Sequence, residues 1–526
     1  MTAAGPAEVP AAAPRFEDHV GDPHRYRRLH EVMEAAARAH PDKPAIIHDD
    51  GRISFTELMA ESEALARRLD GWGVRPGDRL LVVSENAPAL VGAILAASRR
   101  DVWVIPLNAR LTGAEVDRIA AHSGARRILY TSGVSPEAAA HGARAGADEI
   151  DLGALGRVML SPENPEALPE PVEEGPGQVA ALVYTTGTTG NPKGVMITHA
   201  NLILVADESG RGRQITHRDV VYAVLPMSHI FGLSSVLTGS MMRGATLRLA
   251  PRFDPDAVFR ALADEGVTMF QGVPAMYQRL LAVLKSRGQT TIARPHLRYC
   301  SAGGSPLDPA VKAAAEALVG TSLHNGYGLT ETTSAVSQTT PAEPAIDDSV
   351  GRPLPNMAVK VVDADDRDLP DGQVGRLWIH SPGVMKGYYK APELTAEVMK
   401  PGGWFDTGDL ARLDGGRIFI AGRAKELIIR SGFNVYPPEV EGVLNAHPDV
   451  AQSAVVGRTV PGNEEVVAFV QPVPGRVLTR EALAGWVAER LAPYKRPAEF
   501  VIMDAFPATA TGKVLKAQLK DMAAQG

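Results

Sequence analysis

Residues 184–194 read YTTGTTGNPKG, with three glycines, four threonines and a lysine in eleven positions. No helix or strand tolerates glycine at that density, so the stretch is a loop, and the apolar run Val179 to Tyr184 before it reads as the buried strand it leaves. Its hydroxyls, backbone amides and single ammonium all suit an anion, and a phosphate is the natural candidate. The usual phosphate loop is G-x-x-x-x-G-K-[ST]. Here Gly187 and Gly190 precede Asn191-Pro192-Lys193-Gly194, so the spacing fails. Pro192 also excludes a helix whose N-terminus begins at the lysine. What remains is a glycine and hydroxyl loop able to wrap a polyphosphate without belonging to the motor-type NTPases.

The rest of the chain supplies a frame for such a loop. The segment SFTELMAESEALARRLDGWG opens with a Ser54-x-x-Glu57 capping box, sets Phe55, Leu58, Met59, Leu65, Leu69 and Trp72 on one helical face, and stops at glycine. An apolar strand (Leu80 to Val83), a helix through Ala89 to Ala97 and a second strand (Val102 to Pro106) then form a βαβ unit, so an α/β fold is expected. The Pro-rich SPENPEALPEPVEEGPG at 161–177 reads as a surface loop leading into the Val179 strand, and the Gly-rich stretch around 412–426 as a boundary. From Arg423 onward there are 12 Lys/Arg against 11 Asp/Glu, a charge of +1 that leaves −8 for the remainder. The expected division is a flexible tail at 1–15, a large α/β domain at 16–422, and a small mobile α+β domain at 423–526 with strands at Ala454 to Val456, Val466 to Val470 and Phe500 to Ile502 and a helix from Leu478 to Leu491.

Bulk properties narrow the function classes. At 526 residues the chain is long for one domain, and 45% apolar with 22% charged residues is ordinary for a folded, soluble protein. The net charge of −7 argues against a nucleic-acid binder. No apolar run approaches the ~18 residues of a membrane span, and no signal peptide opens the chain, so a cytoplasmic protein without an integral membrane segment is expected. The single Cys300 excludes a disulfide framework and a cysteine-based zinc site.

Four further stretches follow YTTGTTGNPKG in order: NGYGLTETT (325–333), WFDTGDL (404–410), GRAKELIIRSGFNVYPPEVE (422–441) and TATGKVLK (509–516). Together the five resemble the signatures of the adenylate-forming superfamily of acyl- and aryl-CoA synthetases, adenylation domains and luciferases, with the fatty-acyl and aryl-CoA ligases most similar. The chemistry fits. A carboxylate is a poor electrophile, and attack of its oxygen on the α-phosphorus of ATP makes AMP the leaving group while pyrophosphate departs. Two anions must then meet, so donors and cations have to dominate the site.

The resemblance implies ATP, Mg²⁺ and coenzyme A as cofactors and a small-molecule carboxylic acid as substrate, in a monomer or homodimer. Thr185, Thr186, Gly187, Thr188, Thr189, Gly190 and Lys193 would hold the β- and γ-phosphates. Thr330 would reach the α-phosphate and Glu331 would hold Mg²⁺, a cation that prefers oxygen ligands. Asn325, Gly326 and Tyr327 would receive adenine, with Ala302, Gly303 and Gly304 on its other side, and Asp409 and Arg423 would bind the ribose hydroxyls. Lys513 would enter with the small domain and neutralise charge as adenylate forms. Lys425 would be the hinge and Gly432 would line the pantetheine tunnel.

His229, in PMSHIFGL, resembles the gate beside the carboxylate. Ile230, Phe231, Ser234, Ser235, Phe270, Gly272, Val273, Ala302 and Gly328 would line an apolar acid pocket, with Gly328 leaving its floor open where acetate-type relatives carry tryptophan. Medium- or long-chain fatty acids or aryl acids are therefore expected over acetate. Cys300 reads as structural. A stand-alone enzyme loading an acyl carrier protein would share every motif, and transfer to CoA in a purified assay separates the two.

Overall fold

The run RLLVVS at Arg79–Ser84 is buried at every position, the pattern of a strand covered on both faces of a parallel sheet. The computed structural model describes residues 21–22, 25–186, 192–345, 347–431, 433–461, 463–508 and 514–525, and so does not reach the tail expected at 1–15. In it Arg79–Ser84 pairs in parallel with Trp103–Asn108 across the helix Pro88–Arg99, so the βαβ unit forms as its periodicity predicts. That helix is buried on almost every side, because it lies between sheets rather than on a surface. The Ser54 cap forms as well. The Glu57 amide donates to the Ser54 hydroxyl at 3.1 Å and the Ser54 amide to the Glu57 carboxylate at 2.8 Å.

Five sheets are present among the described residues. The eight-stranded sheet carries the hairpin Val179–Thr186 and Pro192–Thr198 next to Trp103–Asn108, with Gly387–Tyr388 beyond it at the edge. In the nine-stranded sheet, Met269–Gly272, Tyr299–Ala302 and Leu323–Leu329 run parallel side by side, and Ser334–Gln338 returns antiparallel. One continuous apolar core joins the inner faces of both sheets to the helices Pro88–Arg99 and His199–Gly212. A second core fills the outer face of the nine-stranded sheet around Tyr222, Phe270 and Tyr277.

The stretch around 412–426 is not a loose connection. Trp404–Asp414 and Arg417–Arg423 are antiparallel strands joined at Gly415-Gly416, and irregular backbone begins only at the single turn Ala424–Glu426. Beyond it, Val450–Val460, Asn463–Pro472 and Glu499–Ile502 form a three-stranded sheet with the helix Arg480–Ala488. These elements bury two apolar clusters drawn only from residues after 427, so the small C-terminal domain has its own core. No helix among the described residues is long and apolar enough to cross a membrane.

Candidate active site

The C-terminal ends of the parallel strands gather the polar groups. Leu323–Leu329 ends in the one-turn helix Thr330–Thr332, and the following Thr333 and Ser334 both sit at positive φ, 57° and 91°. A β-branched residue in that region is strained, at a cost on the order of 1–3 kcal/mol, and such strain concentrates where a turn must present a side chain. Here the turn presents Glu331, whose carboxylate accepts from the Tyr388 hydroxyl at 2.7 Å and whose carbonyl accepts from the Met385 amide at 2.7 Å. Burial, and then the Glu331 charge, push the Tyr388 phenol well above its ordinary range, so it stays a donor.

Tyr388 also joins Glu331 to the hairpin that carries Lys193. Its backbone pairs with Val195 of the hairpin, and the Lys193 ammonium lies 5.2 Å from the centre of its ring. Thr185 stands directly across the hairpin from Lys193. Gly187, Thr188, Thr189 and Gly190 of the loop lie outside the described residues, as does the side chain of Thr186, and so do Gly432 and Lys513. No three His, Cys, Asp or Glu side chains cluster to hold a resident metal among the described residues. One carboxylate beside hydroxyls is instead the donor set for an Mg²⁺ that shares its shell with phosphates, so Glu331 and Thr330 fit that ion.

Facing this group, Asp409 and Arg423 are cross-strand partners in the hairpin Trp404–Asp414 and Arg417–Arg423. Asp409 is buried. Its carboxylate meets the Arg423 guanidinium at 2.9 Å and accepts from the Tyr327 hydroxyl at 2.5 Å, while its amide donates to the Thr407 hydroxyl at 3.0 Å. Burial and the Asp409 charge raise the Tyr327 phenol well above its ordinary range. Burial works against the charge on Arg423, but Asp409, Tyr327, Glu426 and Glu331 together outweigh it and hold the guanidinium more firmly protonated. Two residues from separate motifs, Tyr327 and Arg423, thus converge on the buried carboxylate of a third, Asp409, a group suited to hydroxyl ligands. Asn325 is less available than expected, since its carboxamide donates to the Ser349 carbonyl at 3.4 Å and accepts from the Gly326 amide at 3.0 Å.

On the acid side, His229 is exposed at the start of the helical segment Phe231–Thr238. Its Nδ1 accepts from the Phe231 amide at 3.2 Å, which leaves the ring proton of the neutral form on Nε2. The Phe231 ring lies over Gly303, where a Cβ would come within 3.0 Å of it, and Gly304 takes φ +81°, a conformation that favours glycine. Ile230, Ser234 and Ser235 are buried, with the Ser235 hydroxyl 3.0 Å from that of Ser334. Val273 lies partly buried by the same core, 3.7 Å from a Cβ built on Gly304.

Four pocket assignments change. Phe270 points to the outer face of the sheet, edge-on to Tyr277 at 5.3 Å, and a Cβ on Gly272 would meet the same Tyr277 at 3.3 Å. Ala302 packs in that outer core too. Strand alternation decides this, and it turns Gln271, which the motifs do not single out, to the inner face. Gly328 does not open a floor, because a Cβ there would lie 1.4 Å from the Ser334 carbonyl oxygen. Lys425 is exposed in the turn Ala424–Glu426. Cys300 is fully buried, and burial pushes its thiol up to about 12, so it is no nucleophile.

Tyr388 is a site residue that the motifs do not contain, and GYYKAPELT offers only its aromatic pair as a signal. Tyr388→Phe removes a hydrogen bond to a charged group worth about 1.5–3 kcal/mol, so the Mg²⁺ concentration for half-maximal rate is expected to rise about tenfold or more. Titrating Mg²⁺ at saturating ATP measures this. An unchanged requirement would mean that the Met385 amide alone holds Glu331.

Residues 33–389 match the family model described as AMP-binding enzyme, and residues 439–513 that described as AMP-binding enzyme C-terminal domain. A feruloyl-CoA synthase of Amycolatopsis sp is 34% identical over 487 residues, 92% of this chain and 96% of that protein. An indoleacetate–CoA ligase of Aromatoleum aromaticum is 32% identical, covering 94% of this chain and 98% of its own. Among solved structures, ATP-bound MatB from Rhodopseudomonas palustris superposes with a TM-score of 0.81 at 28% identity, covering 94% of this chain and 99% of its own. The o-succinylbenzoate CoA synthetase of Bacillus subtilis with ATP and magnesium superposes with a TM-score of 0.79 at 30% identity, covering 93% and 99%.

Proposed function

The chain belongs to the AMP-binding enzyme family and is an ATP-dependent acid:CoA ligase that passes through an acyl-adenylate, and we propose that its acid is an aryl or medium-to-long acyl carboxylate, with an aryl acid preferred. The observation that carries this reading is the half-buried Phe231 ring, set against Gly303 at the end of the parallel strands. A flat aryl group stacks on such a ring more readily than a small aliphatic acid does. The aryl substrates of the feruloyl and indoleacetate relatives support the same choice.

In this reading Asp409 and Arg423 hold the ribose and the Tyr327 ring meets adenine. Thr185 and Lys193 neutralise the outer phosphates, and Glu331, oriented by Tyr388, carries Mg²⁺, which supplies further charge neutralisation when bound with ATP. Thr330 donates toward the α-phosphate, and exposed His229 gates the acid. The small domain follows the strand that ends at Arg423 and turns about Lys425, bringing Lys513 in for adenylation and Gly432 in for thioester formation. A screen of pyrophosphate release over C2 to C16 and aryl acids, with ATP, Mg²⁺ and CoA, tests the substrate class. Aryl acids should show the highest kcat/KM and acetate the lowest, and a maximum at acetate or propionate would refute the reading.

A further inference from the structure

The proline-rich stretch 161–177 reads from the sequence as a surface loop, but in the fold it is tied down along its length. Arginine side chains donate to its carbonyls, Arg126 to Ala167 at 2.6 Å, Arg79 to Leu168 at 2.6 Å and Arg28 to Glu173 at 2.7 Å. The Glu170 amide donates to the Gly77 carbonyl at 2.9 Å, and a Cβ on Gly77 would lie 2.0 Å from the Glu170 carbonyl oxygen, so the stretch rests directly on other backbone. Fixing a loop in this way costs conformational entropy that a plain connection need not lose.

Two carboxylates of this strap hold one other segment. Glu170 accepts from the Tyr389 hydroxyl at 2.6 Å, and Glu173 pairs with the Lys386 ammonium. These bonds flank Tyr388, whose hydroxyl donates to the Glu331 carboxylate, and the Met385 amide just before them donates to the Glu331 carbonyl. The strand that carries Tyr388, Gly387–Tyr388, is two residues long. It joins the sheet through the flanking Lys386 and Tyr389 amides, which donate to the Met196 and Gly194 carbonyls at 3.0 and 2.8 Å. So short a strand has little ladder of its own to fix its twist, and side-chain anchors on both sides of Tyr388 supply what the ladder lacks. Tyr389 is buried, its ring edge-on to that of Trp103 at 5.7 Å, so packing holds the same anchor.

We propose that Glu170 and Tyr389 are positioning residues for the adenylation step: the strap fixes the segment 385–390, Tyr388 fixes the Glu331 carboxylate, and Glu331 is thereby preset for Mg²⁺. This rests on the reading of Glu331 as the carboxylate that holds Mg²⁺ with ATP. A carboxylate already held in place loses less freedom when the ion arrives, so the strap acts on the affinity for MgATP and not on that for the acid.

The test measures the Kd of MgATP and of metal-free ATP by calorimetry without acid, and the KM of the acid in turnover. Wild type is compared with Tyr389→Phe, Glu170→Met, Glu170→Gln and Glu331→Gln. Tyr389→Phe and Glu170→Met should each weaken MgATP binding about threefold or more, the share of one hydrogen bond that reaches the carboxylate, with metal-free ATP and the KM of the acid unchanged. Glu170→Gln keeps an oxygen acceptor for the phenol and should stay within about twofold of wild type. Glu331→Gln should lose about tenfold or more. Wild-type affinity for MgATP in Tyr389→Phe and Glu170→Met, or a loss shared equally by metal-free ATP, overturns the proposal while a loss in Glu331→Gln still upholds the reading of Glu331. If Glu331→Gln also binds MgATP as wild type does, that reading fails and the proposal with it. Urea denaturation identifies a merely structural role, since a lowered midpoint with unchanged MgATP affinity also overturns the proposal. Glu170 is half-buried, so Glu170→Met decides the matter even if Tyr389→Phe does not fold.

Discussion

Lys513→Ala is expected to lose about 100- to 1,000-fold in adenylate formation while still converting supplied acyl-adenylate and CoA to thioester at the wild-type rate. The first half-reaction brings a carboxylate against a triphosphate, and an ammonium aimed at the charge that develops there is worth several kcal/mol in a closed site. The second half-reaction has no such need, since AMP leaves from a neutral acyl carbon. Stopped assays of pyrophosphate release and of thioester formation from synthetic acyl-adenylate separate the two. Equal losses in both would show that Lys513 supports the fold and not the step. Lys425→Pro should give the mirror image, because a fixed φ in the turn Ala424–Glu426 stiffens the joint after the last strand of the large domain. Adenylation should survive and thioester formation fall. Normal thioester synthesis by that variant would remove the case for a rotating domain.

Gly328→Trp should unfold or severely destabilise the protein, by on the order of 3–5 kcal/mol, and not narrow its substrate range to short acids. From the sequence, Gly328 reads as an open pocket floor that an indole would fill. In the fold its missing side chain would point at the neighbouring strand, where a Cβ comes within 1.4 Å of the Ser334 carbonyl oxygen and 2.4 Å of its carbonyl carbon. Those atoms belong to backbone held by antiparallel pairing, in which Gly328 stands opposite Ala335 just past a register shift. Relief therefore requires the strands to part. Gly328→Ala should already be harmful, which separates the backbone clash from the bulk of the indole. Urea denaturation measures the loss. A variant of wild-type stability that had shifted to acetate would restore the floor.

Much of this site is legible because its chemistry is concentrated in contiguous stretches. Phosphate binding needs hydroxyls and amides on one loop, so YTTGTTGNPKG announces itself. The capping box at Ser54 and the βαβ unit from Arg79 to Asn108 are equally local, set by side chains three or four residues apart and by an apolar run of strand length. The division near Arg423 is only half legible, since Gly415-Gly416 reads as a linker and is a hairpin turn.

Other features depend on what lies across a strand or over a sheet. Tyr388 orients Glu331 from an edge strand 57 residues away in sequence, and no spacing rule connects them. Phe270 and Gln271 are adjacent in the chain, yet one fills the outer core and the other faces inward, because the pleat sends neighbours to opposite sides. A sequence can show that this strand is buried, but not which of its two faces packs in which core. The sequence by itself determined the α/β class and the adenylate-forming family, since the first rests on local periodicity and the second on five motifs in order. Only the tertiary structure decided which residues hold Glu331, that Tyr327 and Arg423 meet at Asp409, and that Gly328 is a packing glycine, because each depends on a distance between segments remote in the chain.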